Sequence, residues 1–162
     1  MTCPTKIETL AASILRQLPQ KKVWQTNFLL HLFVLWMSIR GRYNFAHLAR
    51  YGKYVESTYR NNFAKNFDFL AFNQQLASRY ISTDCILAFD PSFLVKSGKC
   101  TDGVGQFWSG CVGEVKSGLE MSGVAVVDLR DKTALHLLAI QTVLKEDDET
   151  LLEYYASIIV NR

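Results

Sequence analysis

The sequence lacks the residue patterns of a disulfide scaffold, a zinc site or a nucleophilic active site. No two cysteines are spaced as Cys-x-x-Cys, and no histidines are paired at zinc-ligand spacing. The four cysteines are Cys3, Cys85, Cys100 and Cys111. No nucleophile accompanies the histidines, so we interpret all three as structural: His31, His47 and His136. This cysteine usage favours a reducing, cytoplasmic environment.

Long apolar runs are also missing. The most apolar segment, residues 28–37, is interrupted by His31 and is shorter than the ~20 residues that a membrane helix needs. The N-terminus has no basic stretch followed by an apolar one, so no signal peptide is predicted. The 162 residues are 49% hydrophobic and 20% charged, which is typical of a globular protein. We therefore expect no membrane partner, and either one domain or a small module joined to part of a larger one.

Charge is distributed unevenly along the chain. Residues 1–79 carry 11 Lys/Arg and 3 Asp/Glu, whereas residues 80–162 carry 7 Lys/Arg and 12 Asp/Glu. A basic first half that contacts phosphates and an acidic second half that holds a divalent metal explain this asymmetry. The alternative is that the halves differ in charge without a functional reason, as they do in many proteins.

The first half of the chain has helical periodicity. Thr5 and Glu8 form a capping-box pattern, which predicts a first helix that ends near Pro19. A second helix is expected over residues 23–39, and its apolar character on most faces indicates burial among other helices. Residues 44–51 predict a short helix ended by Gly52. After it, an apolar stripe at helical spacing predicts another helix; the stripe consists of Val55, Tyr59, Phe63, Phe67 and Leu70.

A short helix, a glycine turn and a second helix with a polar, basic face are the layout of a helix-turn-helix motif. The side chains that we expect to contact DNA phosphates or base edges here are Arg50, Ser57, Arg60, Asn61 and Lys65. The motif has no strict sequence signature, so a plain helical hairpin with a solvated basic face is the alternative. Together with the basic first half, the layout predicts that residues 1–79 form a helical module that binds double-stranded DNA.

The pattern changes from helical to extended near Ser82. Strands are predicted over residues 85–89, 123–129 and 134–143, with a further one over 107–112. Four residues join 123–129 to 134–143, so these two form an antiparallel hairpin. An acidic cluster at residues 146–149 then begins a final helix. The predicted fold class is therefore α+β, a helical module followed by the first strands and a helix of a mixed sheet that is incomplete.

Asp90 follows the apolar run 85–89, and Pro91 disfavours a helix at this point. We expect Asp90 at the end of the first strand, where it would be a rigid metal ligand; an ordinary turn residue is the alternative. Two-metal phosphoryl transfer needs several carboxylates around ions about 3.5–4 Å apart. Antiparallel pairing would place Asp128 roughly 15–20 Å from Asp90, so we interpret Asp128 as a turn residue. In the loop that follows, Lys96 and Lys99 are candidate contacts to the DNA backbone.

Several motifs follow one another between residues 89 and 128. They are Asp-Pro-Ser-Phe at 90–93, Lys-Ser-Gly-Lys at 96–99, Gly-Val-Gly at 103–105, Phe-Trp-Ser-Gly at 107–110 and Lys-Ser-Gly-Leu-Glu at 116–120. In this order they resemble bacterial insertion-sequence transposases of the DDE superfamily, in the IS-four-like group with an RNase H-like catalytic domain. The resemblance covers about residues 40–162 and is strongest from 85 to 143.

The resemblance implies cleavage and joining of transposon DNA ends with Mg²⁺ or Mn²⁺, after recognition of terminal inverted repeats. It implies that residues 80–162 are the N-terminal part of the catalytic domain, and that Asp90 is its first catalytic acid and a metal ligand. The family's second Asp and its Glu have no position in this sequence, so we expect a truncated copy that is inactive alone.

The same resemblance implies a bacterial, nucleoid-associated protein whose partners are transposon-end DNA and either a second copy of the chain or a full-length transposase. The alternative function is that of a non-catalytic DNA-binding regulator or inhibitor derived from a transposase.

Overall fold

The fold is α+β, with helices first and an antiparallel sheet after them. The computed structural model describes residues 5–19, 22–96, 101–143 and 150–160. Within these ranges the six helices are α1 (Lys6–Gln17), α2 (Val23–Ser38), α3 (Phe45–Tyr51), α4 (Glu56–Phe63), α5 (Phe69–Tyr80) and α6 (Leu151–Val160). The four strands are β1 (Cys85–Val95), β2 (Gly105–Ser109), β3 (Glu114–Asp128) and β4 (Thr133–Gln141). The chain divides into a helical unit, Met1–Tyr80, and a sheet unit, Ile81–Arg162.

In the helical unit, α2 contributes four buried residues to the core, as expected from a helix that is apolar on most faces. The predicted capping box begins α1: the Thr5 hydroxyl oxygen accepts a hydrogen bond from the Glu8 N–H, and the Thr5 N–H donates to the Glu8 carboxylate (2.7 Å). The buried core draws on all five helices and includes Ile14, Leu15, Phe28, Leu32, Leu35, Leu48, Tyr59 and Phe72. Each of these five helices therefore contributes at least one buried side chain to one shared core.

The helix predicted beyond Gly52 is in fact two helices, α4 and α5. Asp68 marks the break, because its carboxylate accepts a hydrogen bond from the Ala71 N–H (2.8 Å) at the start of α5. The apolar stripe continues across the break because Phe67, in the connection, packs its ring against Phe72 (6.0 Å between centroids). The prediction of a single helix running on to Leu70 was therefore wrong.

The sheet is organised around its longest strand, β3. β1 pairs with β3 in antiparallel register from Cys85 opposite Asp128 to Val95 opposite Gly118. β4 pairs with the C-terminal part of β3 on its other side, and β2 pairs with the N-terminal part. The predicted antiparallel hairpin is confirmed as β3 and β4, and Lys132 in its turn has a φ of 51°.

The first strand is longer than the sequence predicted. β1 continues through Asp90 and Pro91 to Val95, so the expectation that Asp90 ends a strand was wrong. Among the described strands, β1 pairs with β3 alone. An edge strand accommodates proline because the missing N–H is not needed on its free side. Cys85, the first residue of β1, is exposed.

Alternation along the strands gives the sheet two faces. α6 lies against one of them: the Tyr155 ring packs on Phe89 (5.1 Å between centroids), and the Tyr155 hydroxyl donates to the Glu120 carboxylate (2.5 Å). We call this the α6 face. Asp90 follows Phe89 and so belongs to the opposite face, where the Ser92 hydroxyl donates to its carboxylate (3.2 Å). The acidic cluster at 146–149, expected to begin the final helix, lies outside the described residues.

No helix in the described part of the chain is long and apolar enough to cross a membrane.

Candidate nucleic-acid interface

The turn between α3 and α4 is held by caps at both ends of α3. The Asn44 side chain accepts a hydrogen bond from the His47 N–H (2.8 Å) at the start of α3. At its end, the Gly52 N–H donates to the Leu48 carbonyl (2.8 Å). A Cβ at Gly52 would lie 1.9 Å from the Tyr59 hydroxyl oxygen, so a residue with a side chain would not fit without a shift. Glycine is therefore needed here for close approach.

Tyr59 anchors α4 to the helical core. Its side chain is fully buried, and its hydroxyl lies 2.7 Å from the Nε2 of His31. The same nitrogen accepts a hydrogen bond from the Lys53 N–H (3.4 Å). Burial, and then the positive charge of Lys53, lower the pKa of His31, which favours the neutral ring that can accept these bonds. His31 thus has the structural role that the sequence analysis expected.

The side of α4 away from Tyr59 is polar and exposed. Ser57 and Asn61 are four residues apart and both lie opposite Tyr59, while Arg60 lies beside them. We call these three exposed residues the α4 face. Hydroxyl, amide and guanidinium groups can bond to phosphate oxygens or base edges. The structure therefore brings together three of the residues that the sequence analysis selected for DNA contact.

Arg60 is the charged member of the α4 face. Its guanidinium pairs with Glu56 one turn earlier (2.6 Å), and its Cζ lies 4.8 Å from the centroid of the Phe45 ring. Both side chains of the ion pair are well exposed, and exposed pairs of this kind contribute little to stability. A DNA phosphate could therefore replace Glu56 as the partner of Arg60 at small cost, while the Phe45 ring holds the guanidinium in place.

Lys65 lies in the connection after α4, not on the helix where it was predicted. Its ammonium stands 3.8 Å from the centroid of the Trp24 ring and donates to the Asn62 side-chain oxygen (3.2 Å). These contacts fix its charge close to the C-terminal end of α4. Lys65 therefore remains a candidate DNA contact, with a position set by Trp24 and not by helical periodicity.

The other selected residues are more dispersed. Arg50 is exposed in the last turn of α3, at the other end of the turn from α4. Lys96 is exposed directly after β1 and belongs to the sheet unit. Lys99 lies outside the described residues.

Two further arginines were missed by the sequence analysis. Arg40 and Arg42 are exposed in the connection between α2 and α3. The available signal was the absence of acidic residues: between Thr9 and Val55 the sequence has no Asp or Glu. An uninterrupted basic stretch of this kind gives the helical unit a positive field that periodicity arguments do not reveal.

The candidate catalytic acid, Asp90, is exposed and faces Gly123 across the β1–β3 pair. A Cβ at Gly123 would meet only the Asp90 carbonyl oxygen, at 3.8 Å, so no side chain crowds this position. The Ser92 hydroxyl is the one side-chain hydrogen-bond donor found at the Asp90 carboxylate among the described residues. The carboxylate is therefore accessible, with open space beside it.

The other acids of the sheet do not converge on Asp90. Asp128 is opposite Cys85, five residues along β1 from Asp90, or about 17 Å at the usual rise per residue. It also belongs to the α6 face, as does Glu120, which is opposite Phe93. Asp90 and these two carboxylates thus lie on opposite faces of the sheet.

Asp128 stabilises the turn that follows β3, as the sequence analysis expected. Its carboxylate is fully buried and accepts hydrogen bonds from the N–H groups of Ser82 (2.5 Å), Arg130 (2.8 Å) and Asp131 (3.0 Å). These backbone donors, that of Asp131 first, lower the pKa of Asp128 to about 2. Metal coordination would have to break this arrangement.

The described residues around Asp90 therefore do not fit the divalent metal centre that the family resemblance implies. Among the described residues, no three His, Cys, Asp or Glu side chains are grouped closely enough to hold a metal ion. We derive no metal-dependent step from this arrangement.

No known protein-family model, curated protein or solved structure matches this chain.

Proposed function

We propose that the helical unit binds double-stranded DNA through the α4 face, and that the chain is related to the DDE-superfamily transposases that its motifs resemble. The observation that supports binding most strongly is the exposed grouping of Ser57, Arg60 and Asn61 opposite the buried anchor Tyr59. The core holds the helix by one side, which leaves the polar side free for DNA.

An RNase H-like identity for the sheet unit is part of the same proposal. Its support is that β1 and β4 each pair in antiparallel fashion with β3, and that α6 packs on one face of the sheet. Within this arrangement Asp90 would be the first acid of the family's catalytic set. Cleavage would need further carboxylates beside it, and β3 directs Glu120 and Asp128 to the opposite face. We therefore propose DNA binding without DNA cleavage for these 162 residues.

The binding proposal is tested by fluorescence anisotropy with a labelled duplex over a salt titration from about 50 to about 200 mM. We expect Arg60→Ala to weaken binding and to reduce the slope of log affinity against log salt by about 1, because one phosphate contact is lost. Arg16→Ala is the matched control, since Arg16 is an exposed arginine on α1, a helix that packs against α2 and α5. Equal effects of the two substitutions, or no binding of the wild type at low salt, would contradict the proposal.

The same purified protein tests the catalytic part of the proposal. We expect no cleavage of the duplex with Mg²⁺ or Mn²⁺ present. Cleavage that disappears in Asp90→Asn would show that the chain assembles an active site, and would overturn this part while leaving DNA binding intact.

The alternative is a non-catalytic regulator or inhibitor derived from a transposase. It shares the DNA-binding step and differs in its effect on a full-length relative. Competition for the same transposon-end DNA, measured as reduced cleavage by that relative, would favour it.

A further inference from the structure

An aromatic pocket opens beside the α4 face in the helical unit. It encloses about 610 Å³ between the end of α2, the α2–α3 connection, α3 and α4. Its walls are mainly four aromatic side chains, Trp36, Tyr43, Phe45 and Phe63. Phe63 joins two of the others, with its ring centroid 5.2 Å from that of Phe45 and 6.0 Å from that of Trp36, in edge-to-face geometry. The pocket is therefore lined by aromatic rings and is large enough for a planar ligand.

Two of these rings, those of Tyr43 and Phe63, are unusually accessible for aromatic side chains. Tyr43 is 59% exposed and Phe63 is 45% exposed, and Met37 at the pocket wall is 75% exposed. The Tyr43 hydroxyl donates to the Trp36 carbonyl (3.1 Å), which fixes the tyrosine ring at the pocket without placing it in the core. Large apolar groups held in the open in this way are typical of a binding surface.

The surroundings of the pocket are basic. Arg60 contacts the pocket wall directly, because its guanidinium lies over the Phe45 ring at 4.8 Å. Arg40 and Arg42 are exposed in the same connection as Tyr43, one to three residues away from it. The pocket-bearing stretch lies largely within the acid-free run from Thr9 to Val55. An apolar peptide would account for the rings and would leave the arginines without a role.

We propose that this pocket receives an unpaired nucleobase of DNA, stacked on its aromatic rings, while Arg60, Arg40 and Arg42 contact the flanking phosphates. Aromatic stacking with arginine at the backbone is the chemistry by which proteins hold unstacked bases. The inference rests on the proposed DNA-binding function. Because Arg60 belongs to the α4 face and also contacts the pocket wall, a duplex bound along α4 presents a displaced base to the pocket.

The test compares three labelled duplexes of the same sequence by anisotropy. One is fully paired, one carries a single unpaired adenine, and one carries an abasic sugar at the unpaired position. The last two have the same phosphates and the same interruption of the helix, so they differ only in the base. We expect the adenine duplex to bind roughly fivefold or more tightly than the abasic duplex, as stacking of one base on an aromatic ring predicts.

Substitutions in the protein test whether the pocket causes the preference for the adenine duplex over the abasic duplex. Tyr43→Leu should abolish the preference for adenine over the abasic site, whereas Tyr43→Phe, which keeps the ring, should retain it. Met37→Glu gives a second, surface variant that should also abolish it, because the entering base, which the abasic duplex lacks, would have to displace water from the carboxylate at the mouth of the pocket. Tyr80→Leu, at a 56% exposed tyrosine on α5, is the control that should retain the preference.

The outcomes separate the two proposals. Equal affinity of the wild type for the adenine and abasic duplexes, or a preference that persists in Tyr43→Leu and Met37→Glu, overturns the pocket and leaves duplex binding through the α4 face standing. No binding of any of the three duplexes overturns both.

Discussion

Single residues in the sheet unit show how backbone register decides what a carboxylate can do. Asp90 and Asp128 are both acids on paired strands, yet one is exposed with a serine neighbour and the other is buried among three N–H donors. Sequence reasoning separated them correctly by distance, although Asp90 lies within β1 and not at its end, because five residues of β1 separate it from Cys85, the partner of Asp128. It could not assign their faces, since a shift of one residue in register exchanges the two sides of a strand.

Asp128 makes a testable contribution to acid stability. Its folded-state pKa of about 2 lies below its ordinary value, so the folded protein favours the ionised form. The stability that this provides is fully present above the ordinary pKa, near 4, and is lost as the pH falls towards 2. We expect Asp128→Asn to remove this part of the pH dependence and to lower stability at pH 7, because the amide carries donors where the site supplies N–H groups.

Urea unfolding of the wild type and Asp128→Asn at pH values from 7 to about 2 measures this difference. The two curves should approach each other as the pH falls. A constant gap at every pH would contradict the assignment of Asp128 as an ionised turn acceptor.

The junction of α3 and α4 is the element on which the DNA-binding geometry depends. Gly52→Ala places a methyl group 1.9 Å from the Tyr59 hydroxyl oxygen and 2.7 Å from the Leu48 carbonyl oxygen. We expect it to destabilise the helical unit by roughly 1–3 kcal/mol through overpacking. Tyr59→Phe alone removes the hydrogen bond to His31 and should cost about 1 kcal/mol.

Combining the two substitutions tests the contact itself. Without the Tyr59 hydroxyl, the nearest clash is gone and the Leu48 carbonyl contact remains, so Gly52→Ala should cost less in the Tyr59→Phe background than in the wild type. Chemical denaturation of the wild type, the two single variants and the double variant gives the coupling free energy between the two positions. Additive costs would show that the Tyr59 hydroxyl does not limit the space at Gly52.

The docking of α6 on the sheet is a second element-level contact. Tyr155→Phe leaves the buried Glu120 carboxylate with the Thr142 hydroxyl (2.8 Å) and without its second donor. We expect a loss of about 1–3 kcal/mol in the docking of α6, seen as faster amide hydrogen exchange in that helix. The control is Tyr154→Phe, which removes a bond to the uncharged Gln141 carbonyl (3.2 Å) and should have a smaller effect. Equal effects of the two substitutions on hydrogen exchange in α6 would mean that the Glu120 contact stabilises the docking no more than the Gln141 contact does.

Elements with strong local signals were predictable from the sequence, and those shaped by tertiary contacts were not. The capping box of α1 and the glycine stop of α3 are local, and both occur as expected. The break between α4 and α5 was missed because Phe67 keeps the apolar spacing while leaving the helix. The extension of β1 through Pro91 was missed because the tolerance of proline depends on β1 being an edge strand, which the sequence does not show.

At the scale of the whole molecule, the sequence predicted a basic helical part followed by an acidic sheet part, and the structure divides beside the same point, at Tyr80. Most of the candidate DNA contacts lie in the helical unit, and Lys96 lies in the sheet unit. Ser57, Arg60 and Asn61 form one face because a single helix carries them, and helical spacing makes such a grouping predictable. The aromatic pocket was not predictable in this way, because its walls come from residues on three helices and a connection.

The central claim is that the helical unit binds DNA through the α4 face. Two-dimensional ¹H–¹⁵N NMR of the labelled full chain, recorded with and without duplex DNA, tests it residue by residue. We predict that the shifts concentrate between residues 40 and 65, largest at Arg60 and Asn61, and that the amides of β1 and β3 change little. Shifts confined to the sheet unit, or none at low salt, would contradict the account.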